Sequence, residues 1–581
     1  MAALTVPDLA SDRALAWTAA LTTGVICALL LGTGLAALDV SLGDSDDALR
    51  LQRVRDLLGG EPWFDHRVDR ISPPQGGLIH WSRLLDGAMA GVLAGFDLLL
   101  PRAAAERLFR AVWPLLWIGP GVAAVLATAR RLGGGRAVPI AALFLATALF
   151  AFVQLQPGRV DHHGLQIALA AVGLAGAVVG RRRGAIAAAV AAAVGLSVGV
   201  EALIFHALIG GAMALRWASD PSEAPAAKLY GAVLPAALLG LHLAQTAPGA
   251  WLTPACDMVG GNLLGAIAVG GAGLWASASF LSTRPIVWRL AALTAIGACA
   301  AGLYVAAEPA CLGGPLGAAD PRLTPVWLRY VDEVQTWPDM LALDPGEALV
   351  LIIPAAVGLL ALGWTLSNAS ARRDPAWLTA GAFLLLATTA QLAASRMGAY
   401  AIWAALPVVA AAVARVSERW NGRLVPTAAL AWIVSPMVTV TAASALADSL
   451  PSATPASPPD RCTNSASYRH LAALPSGVVL SEVYLGSHIV ALTPHAVLAA
   501  PYHRMDRGIL GAWDALAAPP DAARLRALNV RYVVSCPAHA GSSSQPQDPA
   551  SLQQRLHAGQ PPAWLEPVSA PGAPLTIHRV R

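Results

Sequence analysis

Apolar residues along the chain gather into long unbroken windows, not the two-residue alternation or one-sided helical stripes of a soluble fold. The windows lie near 14–38, 107–129, 137–155, 163–180, 184–200, 202–217, 227–247, 262–282, 289–306, 346–367, 375–393, 398–415 and 424–447. Roughly 17–25 apolar residues cross a bilayer as helix, so the pattern predicts about 13 transmembrane helices. One further window, 84–100, is interrupted by Asp86 and Asp97 and fits a helix lying in the interface within the first long loop. The pattern changes after Ser449. Pro451, Pro455, Pro458 and Pro459 mark a linker at 448–460. Short β-rich runs follow at Val478–Val483, His495–Leu498 and Val530–Val534, interleaved with helical stretches such as Asp521–Leu528. They predict a small α/β domain over 461–581. The stretch from Ala538 to Pro562, rich in Gly, Ser, Gln and Pro, is expected to be loose.

Composition agrees with a membrane protein. Of 581 residues 56% are hydrophobic and 13% charged, with mean hydropathy +0.57, which excludes an ordinary soluble protein. The net charge of +4 gives no case for nucleic acid as a partner. Where the basic residues sit matters more. Arg130-Arg131…Arg136, Arg181-Arg182-Arg183, Arg284…Arg289, Arg372-Arg373 and Arg415…Arg419…Arg423 all fall on one side if 13 spans begin from a cytoplasmic N-terminus. The loops 39–106, 156–162, 248–261, 307–345 and 394–397, and everything after about 447, then face outward. The first apolar stretch ends in Ala-Leu-Asp without a clear cleavage site and reads as a retained span. The expected setting is a multi-pass protein of a bacterial inner membrane, with the C-terminal domain periplasmic. Cys256 with Cys311, and Cys462 with Cys536, fall in outward segments where either pair can form a disulfide.

Two polar clusters stand at the ends of apolar runs: Gly43-Asp44-Ser45-Asp46-Asp47-Ala48 and Gly158-Arg159-Val160-Asp161-His162-His163. Ionisable groups beside hydrocarbon are costly and point to a site. Parity places both clusters on the outer face, where Asp oxygens and neutral His nitrogens are competent ligands for a shared divalent cation. Asp44 and Asp47 also suit the cap of a helix starting near Ala48, and Asp161 an N-cap for the next span.

The first cluster, continued by an amphipathic stretch ending in Gly59-Gly60, resembles the first external loop of the oligosaccharyltransferase catalytic subunits (the STT3, PglB and AglB family of GT-C glycosyltransferases). The second is similar to that family's DxD-like motif in its Asp-x-His form. Val331-Asp332-Glu333-Val334-Gln335 looks like the end of its TIxE or SVSE motif, and Ser395-Arg396-Met397-Gly398 like its external arginine. Four such elements in order along about 450 residues are more specific than any one of them.

The resemblance implies a GT-C transmembrane domain at 1–447, with a first external loop at 39–106 and a long one at 307–345. It implies Mg²⁺ or Mn²⁺ held by Asp46, Asp161 and His163, with Asp46, Glu333 and Arg396 catalytic. The expected donor is a polyprenyl-(pyro)phosphate-linked sugar or glycan. The acceptor stays open among a lipid, a polysaccharide and a protein. One departure counts against sequon reading: where the family carries WWD, this chain has Val479-Leu480-Ser481-Glu482-Val483-Tyr484.

Further substrate candidates are His80, Trp81, Arg83, Glu201, His162, Tyr502 and His503. Each also has a plainer role, such as a headgroup anchor for Glu201 or an aromatic belt residue for Trp81. A transporter or flippase of lipid-linked material, or a non-catalytic assembly subunit, is the rival class. Transporters place ionisable groups near the midplane and often show repeats; here those groups cluster at span ends.

Overall fold

A computed structural model of the protein describes residues 4–449, 461–540, 542 and 544–581. The expected linker therefore lies, beyond Ser449, outside the described residues. A helix occupies each of the 13 apolar windows. Nine are long and apolar enough to cross a membrane, or ten if the bent pair Ala137–Thr147 and Leu149–Leu155 is one span. Thirteen full-length spans are thus not reached among the described residues. His163–Val179 and Leu203–Ser219 are shorter apolar helices, and Arg181–Val198 spends its first turn on three arginines. Hydropathy windows average over helix ends, and 17 residues of helix reach only about 26 Å against a core of about 30 Å.

Burial sorts the spans. Gly398–Glu418 runs through the middle, 94% of its apolar window buried, and is apolar on every side. Its Trp403 donates to the Ala151 carbonyl, 2.9 Å away, at the bend after Thr147. Ile286–Ala307 is the opposite case, with none of its window buried and Val287 and Trp288 exposed. Such a face is stable only against hydrocarbon.

Above the spans the first loop folds as a helix, Ser45–Leu58, a short hairpin of β1 (Arg67–Val68) and β2 (Gly77–Leu78), and a second helix, Arg83–Asp97. The two helices pack through Leu51, Val54, Leu85, Met89 and Leu93. Window 84–100 is therefore a helix of the loop, not a span.

The C-terminal segment contains β3 (Val478–Ser481), β4 (Ala496–Val497), β5 (Val530–Ser535), β6 (Leu565–Pro567) and β7 (Thr576–Val580). The sheet order is β4-β3-β5-β7-β6, parallel among the first three and antiparallel beyond. The two last strands escaped the sequence reading. So did the helix Leu552–His557 inside the supposedly loose stretch, where Ser551 caps the start and Leu552 and Leu556 bury one turn apart.

The sheet does not stand apart from the first loop. The Val497 backbone exchanges hydrogen bonds with the Arg70 carbonyl and the Ser72 amide, both 2.8 Å. Leu49, Ile71, Ile79 and Trp81 share one core with Tyr468, Val479, Tyr532 and Val534. Both anticipated cysteine pairs are bonded, Cys256–Cys311 and Cys462–Cys536.

Candidate functional site

The helix Ser45–Leu58 starts with a reciprocal cap. Asp44 accepts from the Asp46 and Asp47 amides at 2.9 and 3.0 Å, and Asp47 accepts from the Asp44 amide at 3.2 Å. This much follows from the sequence. Asp47 then does something the sequence did not disclose. Fully buried, it accepts from the backbone amides of Val160 and Asp161 at 2.7 and 3.1 Å, although these lie more than 110 positions away. One carboxylate thus fastens the first cluster to the second. Arg159 completes the joint: its guanidinium meets Asp44, Asp47 (2.9 Å) and Asp161 (2.8 Å). Asp44, Asp47 and Asp161 stand close enough to hold a cation, but that place is filled by the arginine.

Asp46 faces the other way. One carboxylate oxygen each from Asp46 and Asp161 and one ring nitrogen of His163 lie within 4.8 Å of one another. Asp161 also accepts from the His163 amide at 2.8 Å, which is the cap expected of it. His163 Nε2 reaches Glu333 at 3.4 Å. Glu333 is carried there by a strap whose Asp332 and Gln335 carbonyls accept from the Ser395 hydroxyl (2.6 Å) and amide (3.0 Å). Ser395 precedes Arg396, so the last two sequence elements are tied together directly.

Asp46, His163 and Glu333 line a cavity of about 880 Å³, with Asp161 next to them behind its wall. Arg396 stands in its wall half-buried. Its Nε is buried without a hydrogen-bond partner, and no ion pair engages its guanidinium among the described residues. A buried donor left unpaired is costly and is normally met by a ligand or water.

Burial, with Asp44, Glu333 and Asp161 nearby, pushes the Asp46 carboxyl up to about 8. Asp161 is equally enclosed, but His163 and Arg159 outweigh burial and hold it below the usual carboxylate range. Glu333 is likewise opposed by burial and kept at about 2, chiefly by His163.

The other candidates separate. His162 lines the cavity with Nε2 3.3 Å from Glu201, and Gln166 donates to the second Glu201 oxygen at 2.8 Å. Glu201 is thus a cavity residue and not a headgroup anchor. Behind them Arg50, missed in the sequence, runs from Asp86 (2.8 Å) to His162 Nδ1 (3.4 Å). Trp81 reaches the cavity but is only 4% exposed, with Arg50 over its ring at 4.0 Å and the edge of Tyr502 against it. It builds the wall and offers no open stacking face. Tyr502 donates its hydroxyl to the Ser45 carbonyl, 3.0 Å, which fixes the start of the helix carrying Asp46. His80 and His503 line the cavity together with Asp257, another residue missed beforehand. Arg83 is a correction: its guanidinium is fully buried and held by Glu61 and the Trp63 carbonyl, away from the cavity. The hairpin turns it inward.

No family model matches this chain, and no curated protein does. Solved structures do. The oligosaccharyltransferase AglB of Archaeoglobus fulgidus in its apo form superposes with TM-score 0.67 at 14% identity, covering 91% of this chain and 70% of that one. The same enzyme in complex with an inhibitory peptide and a dolichol-phosphate gives 0.66 at 15%, covering 91% and 69%. Its complex with Zn and sulfate gives 0.60 at 16%, covering 90% and 68%. At such identities the likeness establishes the fold alone: a multi-pass helical membrane architecture shared with that protein, with a small C-terminal sheet domain.

Proposed function

We propose that this protein is a membrane glycosyltransferase that moves a sugar or glycan from a polyprenyl phosphate or pyrophosphate to an acceptor on the outer face of the membrane. The observation that carries this reading is the convergence of Asp46, His163 and Glu333 on one cavity with the unpaired Arg396, Asp161 standing within 4.8 Å of Asp46 and His163. The fold is that of AglB, whose complex contains a dolichol-phosphate. The spacing and donor set of Asp46, Asp161 and His163 fit a divalent cation of the Mg²⁺ or Mn²⁺ class. When bound, such an ion neutralises charge growing on the departing phosphate. Arg396 has a guanidinium free to pair with phosphate oxygens. Asp46, in the first turn of its helix and lining the cavity, is the carboxylate to orient an acceptor group or take its proton. Glu333 sets the His163 ring and closes the site from the strap. The outer domain spans 461–581 and, with the first loop, covers the cavity. A cytoplasmic N-terminus puts this cavity outside, consistent with a lipid-linked donor.

Acceptor recognition differs from sequon reading. At the WWD station Glu482 accepts from the Cys536 amide (3.0 Å) and Gln553 (2.9 Å) and pairs with His539. It is buried within its own domain, so no aspartate faces a Ser or Thr hydroxyl from there.

Arg396→Ala should lower transfer while the metal still binds, and in cells the lipid-linked donor should accumulate. Quantifying lipid-linked glycans beside surface glycoconjugates in wild type and variant checks this. A donor pool and conjugates that both stay unchanged rule out the transferase.

The Asp46 proton sets a second expectation. Its folded-state value of about 8 lies above the ordinary 3.8, so protonation favours the metal-free fold and ionisation costs stability as pH rises toward 8. A cation must displace that proton. His163, paired with Glu333, must also give up a proton to ligate, so apparent Mn²⁺ affinity should rise more steeply than tenfold per pH unit from about 6 to 8. Calorimetry in two buffers of different ionisation enthalpy should show about two protons released per ion at pH 7, one from Asp46 and one from His163. Flat affinity across this range would contradict the assignment of Asp46 as ligand.

A further inference from the structure

A second group of ligand-type atoms lines the same cavity on residues the proposed transfer chemistry does not use. His80, Asp257 and His503 each bring one nitrogen or oxygen within 4.8 Å of the other two. They come from three distant parts of the chain. His80 follows the first-loop hairpin, Asp257 sits next to the disulfide cysteine Cys256, and His503 opens a short turn of the C-terminal segment. Each is held by its neighbour: Trp81 in the shared core, Cys256 by Cys311, and Tyr502 by the Ser45 carbonyl.

We propose that His80, Asp257 and His503 form a second metal site, selective for a transition metal of the Zn²⁺ class, which clasps the C-terminal segment to the first loop and to the loop carrying Asp257. The donor set argues for that class. Two imidazoles and one carboxylate suit Zn²⁺, whereas the two carboxylates and one imidazole around Asp46 suit Mg²⁺ or Mn²⁺. Tetrahedral ligands about 2.1 Å from an ion stand about 3.4 Å apart, so His80 closes by at most on the order of 1 Å while His503 and Asp257, now hydrogen-bonded at 2.6 Å, part by about as much. His80 keeps its Nδ1 buried without a hydrogen-bond partner. Burial pushes its ring down to about 3, so it stays neutral, which is the ligating form.

Asp257 already has company. His503 Nε2 is 2.6 Å from one oxygen, and Arg504 donates to both, at 2.7 and 2.6 Å. A carboxylate accepts at about four lone-pair positions, which leaves one for an ion. Arg504 then serves as the outer partner that ligating carboxylates usually have. It also cancels the carboxylate's charge, which disfavours a hard cation that relies on anionic oxygen. The rival reading is a metal-free ion cluster tying the same three segments.

Metal binding separates the two and does not depend on the transferase reading. The full chain in detergent is stripped with chelator, loaded with millimolar Mg²⁺ and titrated with Zn²⁺, and bound zinc is counted by mass spectrometry. One Zn²⁺ per chain should remain bound in wild type and in Asp46→Asn, and be lost in His80→Ala and in His503→Ala. The Asp46→Asn protein loaded with Co²⁺ should show the absorption of an imidazole-ligated ion, a readout that needs no clasp variant to fold. Zinc binding that is equal in wild type, His80→Ala and His503→Ala overturns the site. So does a Mg²⁺-loaded wild type that takes up none.

Discussion

Asp46→Asn should lower the transfer rate by about 10³-fold without weakening the fold. The substitution keeps the shape of the side chain and removes the charge. Asp46 is held in a setting where ionisation is already unfavourable, since burial and three neighbouring carboxylates push it to about 8. A neutral amide relieves that cost, so the thermal midpoint should hold or rise. On the proposed reading, what is lost is one of two anionic ligands and the group placed to orient the acceptor. Losses of 10²–10⁴ are typical for removing one such element of general-base or electrostatic stabilisation. Initial rates with a polyprenyl-linked donor, beside a melting curve, test both halves. A variant within about tenfold of wild type would remove Asp46 from the chemistry; a collapsed midpoint would make it a structural residue instead.

Asp47→Ala should have the larger effect on stability. The carboxylate is wholly enclosed and receives the amides of Asp44, Val160 and Asp161 as well as the Arg159 guanidinium. Alanine leaves those donors without an acceptor and takes one partner from a buried arginine. Breaking a buried charged network from one side costs about 3–5 kcal/mol. The joint between the two clusters is what sets Asp46 against Asp161, so Mn²⁺ binding should fail along with it. Asp47→Asn retains one acceptor oxygen and should recover part of both. Denaturant or thermal unfolding in detergent, together with Mn²⁺ titration, distinguishes this from a simple cap. A cap alone would cost about 1 kcal/mol, and an alanine variant losing no more than that refutes the joint.

Much of the fold was legible because bilayer spans leave a coarse signal. Each apolar window became a helix, and the β-rich runs near 478, 496 and 530 became strands. Among the described residues only nine or ten windows hold a full-length span, because hydropathy does not see where a helix stops, as His163–Val179 shows. Tetrapeptide-scale signals did less well. Arg83 looked like a ligand group beside His80 and Trp81, yet the hairpin turns it into Glu61. Asp257 looked ordinary, because nothing in its neighbours along the chain announces His503 or Arg504.

By itself, then, the sequence determined the membrane class, the helix-by-helix layout, the cap at Asp44 and the residue types available for chemistry. These follow from hydrophobicity and short-range backbone hydrogen bonding, which operate within a few turns. Only the tertiary structure decided which polar groups became partners: Asp47 with Val160, Glu333 with His163, Asp257 with Arg504. Those pairings bridge long loops, and a buried charge is stabilised by whichever partner the fold brings within about 3 Å, at any separation along the chain.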